Sequence, residues 1–250
     1  MNNKLFIITA ANGNATAIEI LKIKLKPLQY VQRGIKIIKK NKIHNVEQCG
    51  FLIPKEKHFE MSGGEFCGNA ARAAAIIFSQ INNTSKPNFT ISGYKNKVKA
   101  TVKKIKKNKY DVLCVFPKLK IKTKPIKVLG QKANLVDLGG IVHIVIKNKL
   151  PNNYKLQHRQ ITNDLGLTKR DAVGVCWITE KKGLTILHPV VWVKAIDSFF
   201  YEGSCGSGAI ATAKICQKHK ITQPSGQVIN VKFNDEYVSL QSEMEVIHQQ

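Results

Sequence analysis

Short apolar runs, many alternating with polar residues, dominate this chain, and small-residue helical stretches interrupt them at two places. Over the first sixty residues KLFIIT, TAIEILKIKL and QCGFLI read as strands. From Ile20 to Leu28 lysines alternate with apolar residues, the pattern of a half-buried strand with one wet face. An alanine-rich stretch from Cys67 to Gln80 then predicts a helix, preceded by Gly63 and Gly64 and ended by the turn sequence NNTSKPN. NFTISG, KVKATVKKI and YDVLCVFP follow as strands, and the lysine- and proline-rich stretch Pro117 to Gly130 marks a candidate boundary. Beyond it the order repeats. Strands NLVDLGGIVHIVIKN, DAVGVCWIT and GLTILHPVVWVK lead to a second small-residue helix opening at Cys205, then to GQVINVKF and EYVSLQS. KLQHRQITNDLG, between the first two of these strands, predicts a short helix. This order predicts an α+β fold of two similar halves, 1–121 carrying Cys67 and 122–250 carrying Cys205, each holding one central helix against a curled sheet.

A chain of 250 residues with 43% hydrophobic content can bury a substantial core without staples. No apolar run approaches the ~20 residues of a membrane span, and the start, MNNKLFIITAANGN, has too short an apolar stretch for a signal peptide. A soluble cytoplasmic protein with no membrane partner is the expectation. The formal charge of +24 raises the question of nucleic acid, but the lysines alternate along strands instead of clustering, and aromatics make up only 7%. They read as solvated faces, with no nucleic-acid partner expected; the charge still favours attraction of anionic substrates. The six cysteines include no Cys-x-x-Cys pair, and no His-x-x-x-His occurs, so neither a metal site nor a disulfide framework has its usual spacing. Cys114, Cys176 and Cys216 read as small core residues. Cys67 and Cys205 differ, because glycines and polar residues surround them.

A cysteine at a helix start feels the positive end of the helix dipole and unpaired N–H groups, which favour thiolate and predict a lowered pKa. Those N–H groups, kept open by Gly68 and by Gly206 with Gly208, can also hold a carboxylate. Two such units across one cleft suit inversion of a stereocentre beside a carboxylate. One sulfur removes the Cα proton and the other delivers a proton to the opposite face. No cofactor is called for in such a scheme, and none is expected.

The motifs CGNAAR (Cys67 to Arg72) and CGSGA (Cys205 to Ala209) resemble those of the diaminopimelate epimerase superfamily, the cofactor-independent two-cysteine racemases. NGNAT (Asn12 to Thr16), EQCGF (Glu47 to Phe51) and GGIVHIV (Gly139 to Val145) extend the resemblance over most of the chain. Within the superfamily, EQCGF, MSGGEFCGNA and HPVVWVKAIDSFFYEGSCGSG look most like the histidine racemases that supply D-histidine for staphylopine-type metallophores. The resemblance implies two α/β halves, each a barrel-like curled sheet around a central helix, 1,1-proton transfer without cofactor, Cys67 and Cys205 as the acid–base pair, and a homodimer. It also implies that backbone around Gly68-Asn69 and Gly206-Ser207, with Asn14, holds the α-carboxylate and amine. For the side chain, Glu47, Glu202 and Tyr201 are candidates by position, with Trp192 more distant. His143 is a candidate to bind substrate or assist a thiol, or else a structural histidine. Arg72 reads as a structural ion-pair residue, and Glu202 has a second reading as a charge complement to the Cys205 helix.

Departures from the diaminopimelate enzymes bear on the substrate. Those enzymes place a Glu-Arg pair shortly before the second cysteine, whereas Lys194 to Gly203 contains no arginine. A second zwitterionic end would be poorly paired, so diaminopimelate is disfavoured. Gly64 and Gly203 look to replace asparagines of the histidine racemases. The alternatives are a diaminopimelate epimerase or another amino-acid racemase of the superfamily, an isomerase of the related phenazine-pathway fold (which lacks the cysteine pair), and a non-catalytic anion or nucleic-acid binder.

Overall fold

The computed structural model describes residues 4–250, and all of its strands join one 16-stranded sheet. From Leu5–Ala10 the sheet runs through Ala15–Ile20, Val46–Ile53, His58–Met61, Asn88–Ile91, Tyr94–Lys106 and Lys109–Pro117 to the last strand, Tyr237–Gln249. That strand returns to pair antiparallel with Leu5–Ala10 through Met244 to Gln249, which closes a ring. On the same edge, Val238 to Gln241 pairs with Val228–Phe233. From there the sheet continues through Lys220–Thr222, Leu184–Val193, Ala172–Lys181, Val142–Ile146 and Gln131–Asp137 to Lys122–Val128, with Ser198–Tyr201 added on Leu184–Val193. The expected pair of separate curled sheets is thus a single sheet. A 13-residue last strand is long enough to serve both stretches, so it welds them.

Among the described residues four α-helices accompany the sheet: α1 (Pro27–Lys40), α2 (Gly68–Ile81), α3 (Tyr154–Asp164) and α4 (Gly206–Cys216). Helices α2 and α4 are buried from Gly68 to Phe78 and from Gly206 to Ala213. Alanine makes this possible, since a helix enclosed on every side needs narrow side chains and no polar stripe. Larger groups pack at the far end of α2, where Phe78 stacks on Phe89 with ring centroids 4.8 Å apart.

Each buried helix is reached by the same route. Val46–Ile53 leads through a 3-10 turn (Pro54–Glu56) and a short strand (His58–Met61) to Cys67. Leu184–Val193 leads through a 3-10 turn (Lys194–Ile196) and Ser198–Tyr201 to Cys205. Both turns close on a left-handed residue, Lys57 at φ 48° and Asp197 at φ 39°.

Two segments depart from the sequence reading. The strand expected to run on to Leu28 stops at Ile20, and α1 begins at Pro27. Proline suits a first helical position, and from there helical spacing places Tyr30, Gly34, Ile37 and Ile38 on one side of α1. Tyr30 meets Phe51 of the neighbouring strand at 5.1 Å between centroids. The candidate boundary contains the strand Lys122–Val128, which among the described residues pairs only with Gln131–Asp137 and tolerates Pro125 as an edge strand. Among the described residues no helix is long and apolar enough to cross a membrane.

Candidate active site

The starts of α2 and α4 abut. A Cβ on Gly206 would stand 3.0 Å from the Gly68 backbone, and one on Gly68 would lie 2.6 Å from Leu240 Cδ1 and 3.2 Å from Gly206. These glycines therefore permit close approach of two helix ends, beyond the expected role of leaving N–H groups open. Cys67 and Cys205 are the N-caps, both with extended backbone. Cys67 Sγ accepts from the Ala70 N–H at 3.4 Å, and Cys205 Sγ accepts from the Gly208 N–H at 3.3 Å. Sulfur occupies the position that serine or aspartate fills in ordinary caps.

The Cys205 turn is tied to the first residues of the chain. Asn14 Oδ1 accepts from the Gly203 N–H at 2.5 Å, Ser204 Oγ donates to the Ala10 carbonyl at 2.6 Å, and Asn69 Nδ2 donates to the Ser204 carbonyl at 2.9 Å. Gln223 Oε1 holds the Cys205 N–H at 2.8 Å.

Both cysteines line one cavity of about 20 Å³, with Gln48, Glu65, Asn69, Glu202, Gly206 and Ser207 and an apolar wall of Phe66, Ile141, Val191 and Val193. Beside it lies a second cavity of about 10 Å³ that contains Glu47. Gln48, Glu65, Val193 and Glu202 line both. Since one water needs ~10–15 Å³ of such space, the walls must move apart to admit an amino acid.

Gln48 connects the two thiols. Its Oε1 accepts from Cys67 Sγ at 3.3 Å, and its Nε2 donates to Glu202 Oε1 at 2.7 Å. The Glu202 carboxyl group in turn interacts with the Cys205 thiol, whose Sγ lies 3.6 Å from Ser207 Oγ. Burial pushes the Cys67 thiol up to about 12, with the Glu202 carboxyl adding to it and the Ala70 N–H opposing. Burial, then Glu202, likewise raise Cys205 well above the usual thiol range. The predicted lowering at a helix start is overturned. The N–H groups act in the expected direction, but desolvation outweighs them. Burial also raises the carboxyl groups, Glu202 to about 8 and Glu47 and Glu65 each to about 7.

Not every candidate reaches the thiols. Asn69, Gly206, Ser207 and Glu202 line their cavity, whereas Glu47 lines only the neighbouring one. Gly68 and Asn14 stand behind the wall, as the helix contact and as an acceptor for the Gly203 turn. His143 is fully buried and lines neither cavity; it lies over Gly174 with Nδ1 3.5 Å from Cys176 Sγ, and burial lowers it to about 3. Tyr201 and Trp192 line neither cavity; Tyr201 pairs with His188 at 2.9 Å, and Trp192 donates to Asp197 at 2.8 Å. Arg72 makes no ion pair among the described residues. It is fully buried and donates to Asn69 Oδ1 at 2.5 Å.

Sequence reasoning missed Gln48 and Glu65 as site residues. Their only signal was proximity, Gln48 following Glu47 and Glu65 standing two residues before Cys67. Among the described residues no three His, Cys, Asp or Glu side chains converge in a way that could hold a metal ion, and no lysine lines either cavity.

Comparison with solved structures shows the fold. The chain is similar over its full length to a predicted epimerase from Pseudomonas aeruginosa (TM-score 0.65, 10% identity, 98% of that chain). It is similar in the same way to a PhzF-family phenazine biosynthesis protein from Bacillus anthracis (TM-score 0.62, 10% identity, 99% of that chain). In sequence it is 32% identical over 203 residues to a histidine racemase of Fusobacterium nucleatum subsp. nucleatum, covering 76% of this chain and 75% of that protein. The family model described as the histidine racemase CntK N-terminal domain matches residues 6–246. With two helix-capping cysteines lining one buried cavity, the chain belongs to this histidine racemase family.

Proposed function

We propose that this protein interconverts L- and D-histidine by a two-base proton transfer that uses no pyridoxal phosphate, with Cys67 and Cys205 as the acid–base pair. The observation that carries the reading is the presence of both N-capping thiols on one cavity at the meeting point of two buried helices. The absence of a lining lysine supports it, because a pyridoxal Schiff base would lack its amine. In the direction that starts from a Cys205 thiolate, the Cys205 proton passes to the Glu202 carboxylate. The sulfur then takes the Cα proton as that C–H bond breaks, and the Cys67 thiol protonates the other face. In reverse the two sulfurs exchange roles. N–H groups of the first turns of α2 and α4 are the nearest donors for the developing enediolate, where one donor is worth ~10²–10³ in rate. The homodimeric state, the cytoplasmic location and a place in metallophore synthesis belong to the same proposal.

Incubating a panel of L-amino acids with the protein in D₂O tests this. Histidine should gain deuterium at Cα and racemise at a rate that chelator treatment leaves unchanged. Exchange of another amino acid but not of histidine would overturn the substrate; loss of activity with EDTA and recovery with zinc would overturn the two-thiol mechanism.

The carboxyl groups also predict a pH profile. Glu202 must be ionised to receive the Cys205 proton, and burial holds it near 8. The ratio kcat/KM should therefore rise with pH through an apparent ionisation near 8 and fall about tenfold per unit below it. Glu202→Gln should lower the rate and remove that limb; a limb kept unchanged in Glu202→Gln would assign it elsewhere.

A further inference from the structure

The second cavity carries an observation that the proton transfer does not use. The chain has 16 acidic residues against 40 lysines and arginines, yet Glu47, Glu65 and Glu202 converge there and no lysine, arginine or histidine lines either cavity. Glu202 is engaged by Gln48 and Cys205. Glu65 is different. It is only 7% exposed, it lines both cavities, and among the described residues its Oε2 has no hydrogen-bond partner. Glu47 Oε2 is also unpartnered, on the side of the second cavity.

The loop that carries Glu65 is held by other bonds besides the Glu65 and Gly63 N–H groups that its carboxyl group meets. Ser92 Oγ donates to the Glu65 carbonyl at 3.1 Å, while the Met61 N–H donates to the same Ser92 oxygen at 2.9 Å, so one serine clamps both ends of the loop. Gly63 folds down over the carboxylate, where a Cβ would lie 2.6 Å from Glu65 Oε2 and 3.1 Å from Val193. A buried acid with an unused oxygen is costly to retain for structure alone.

We propose that Glu65 is a specificity-determining residue whose free Oε2 binds one ring nitrogen of the substrate, so that the imidazole is held as a cation between Glu65 and Glu47. This inference rests on histidine being the substrate. Free imidazole is mostly neutral above its usual pKa of ~6.5, whereas burial keeps Glu65 near 7, still partly protonated at neutral pH. On binding, the carboxylic O–H breaks as the second ring N–H forms, leaving imidazolium against carboxylate with no change in net charge. An acid-walled cavity selects a side chain that can accept this proton over an isosteric ring that cannot.

The test compares histidine with triazolylalanine, whose ring has the same size and stays neutral, in the wild type and in Glu65→Gln. Hydrogen bonds to charged groups predict that Glu65→Gln lowers kcat/KM for histidine by about tenfold to a hundredfold, mainly through KM. The constant for triazolylalanine, measured by turnover or by competition with histidine, should change less than about threefold, since no ion pair is lost with it. Glu65→Asp, which keeps the charge, should retain the preference for histidine and covers the case in which the glutamine variant fails to fold. Equal losses for both ligands, or a loss confined to kcat, would overturn the assignment. Wild-type exchange of histidine is scored separately: if it is present and the discrimination is unchanged, only Glu65's role fails, and if it is absent, the substrate fails with it.

Discussion

Replacing either Cys67 or Cys205 by serine should lower racemisation of histidine by about 10³-fold or more, since general acid–base groups contribute ~10²–10⁴ and the serine hydroxyl does not ionise near neutral pH. The two variants should differ in what survives. In a two-base reaction each enantiomer is deprotonated by the sulfur on its own side. Exchange of the Cα proton can therefore persist in each variant for the enantiomer whose proton faces the remaining thiol. Cys67→Ser and Cys205→Ser should then prefer opposite enantiomers, as deuterium wash-in to L- and D-histidine measured separately would show. Both substitutions nearly conserve volume at an N-cap where serine is itself a good cap, so folding should survive. Near-normal racemisation by either variant would end the two-thiol reading.

The second large effect is expected at Asn69→Ala, in stability as well as activity. Asn69 carries two ties at once. Its Nδ2 holds the Ser204 carbonyl at 2.9 Å, and its Oδ1 accepts from Arg72 at 2.5 Å. Arg72 is fully buried, and among the described residues its Nε and Nη1 have no partner. Removing Asn69 therefore leaves a buried guanidinium without its acceptor, at a cost of about 3 kcal/mol. For a chain of this size that lowers Tm by roughly 6–12 °C. Adding Arg72→Met should recover part of the loss, because the stranded charge goes with it. A single variant within about 0.5 kcal/mol of wild type, the ordinary range for surface changes, would show that the charge is compensated elsewhere.

Much of the site is legible in local chemistry. Glycines and alanines around Cys67 and Cys205 announce two buried helices with sulfur caps, since small-residue composition and cap position are properties of a few adjacent residues. The strand pattern is legible for the same reason where period-two alternation survives, as in His58–Met61, Tyr94–Lys106 and Val228–Phe233. It misled at Ile20 to Leu28, where alternating lysines continue past the true end of the strand and Pro27 was the better guide.

By itself the sequence determined that two thiols begin two small-residue helices, in repeated order within an α+β chain, and that no ordinary metal spacing is present. Tertiary structure alone decided that Gly68 meets Gly206, that Gln48 bridges Cys67 to Glu202, and that Glu65, with one unpartnered oxygen, lines both cavities. It also reversed the expected direction of the thiol pKa values. The physical reason is common to all of these. Helix caps and strand alternation depend on neighbours along the chain, whereas close approach and desolvation depend on groups that only folding brings together.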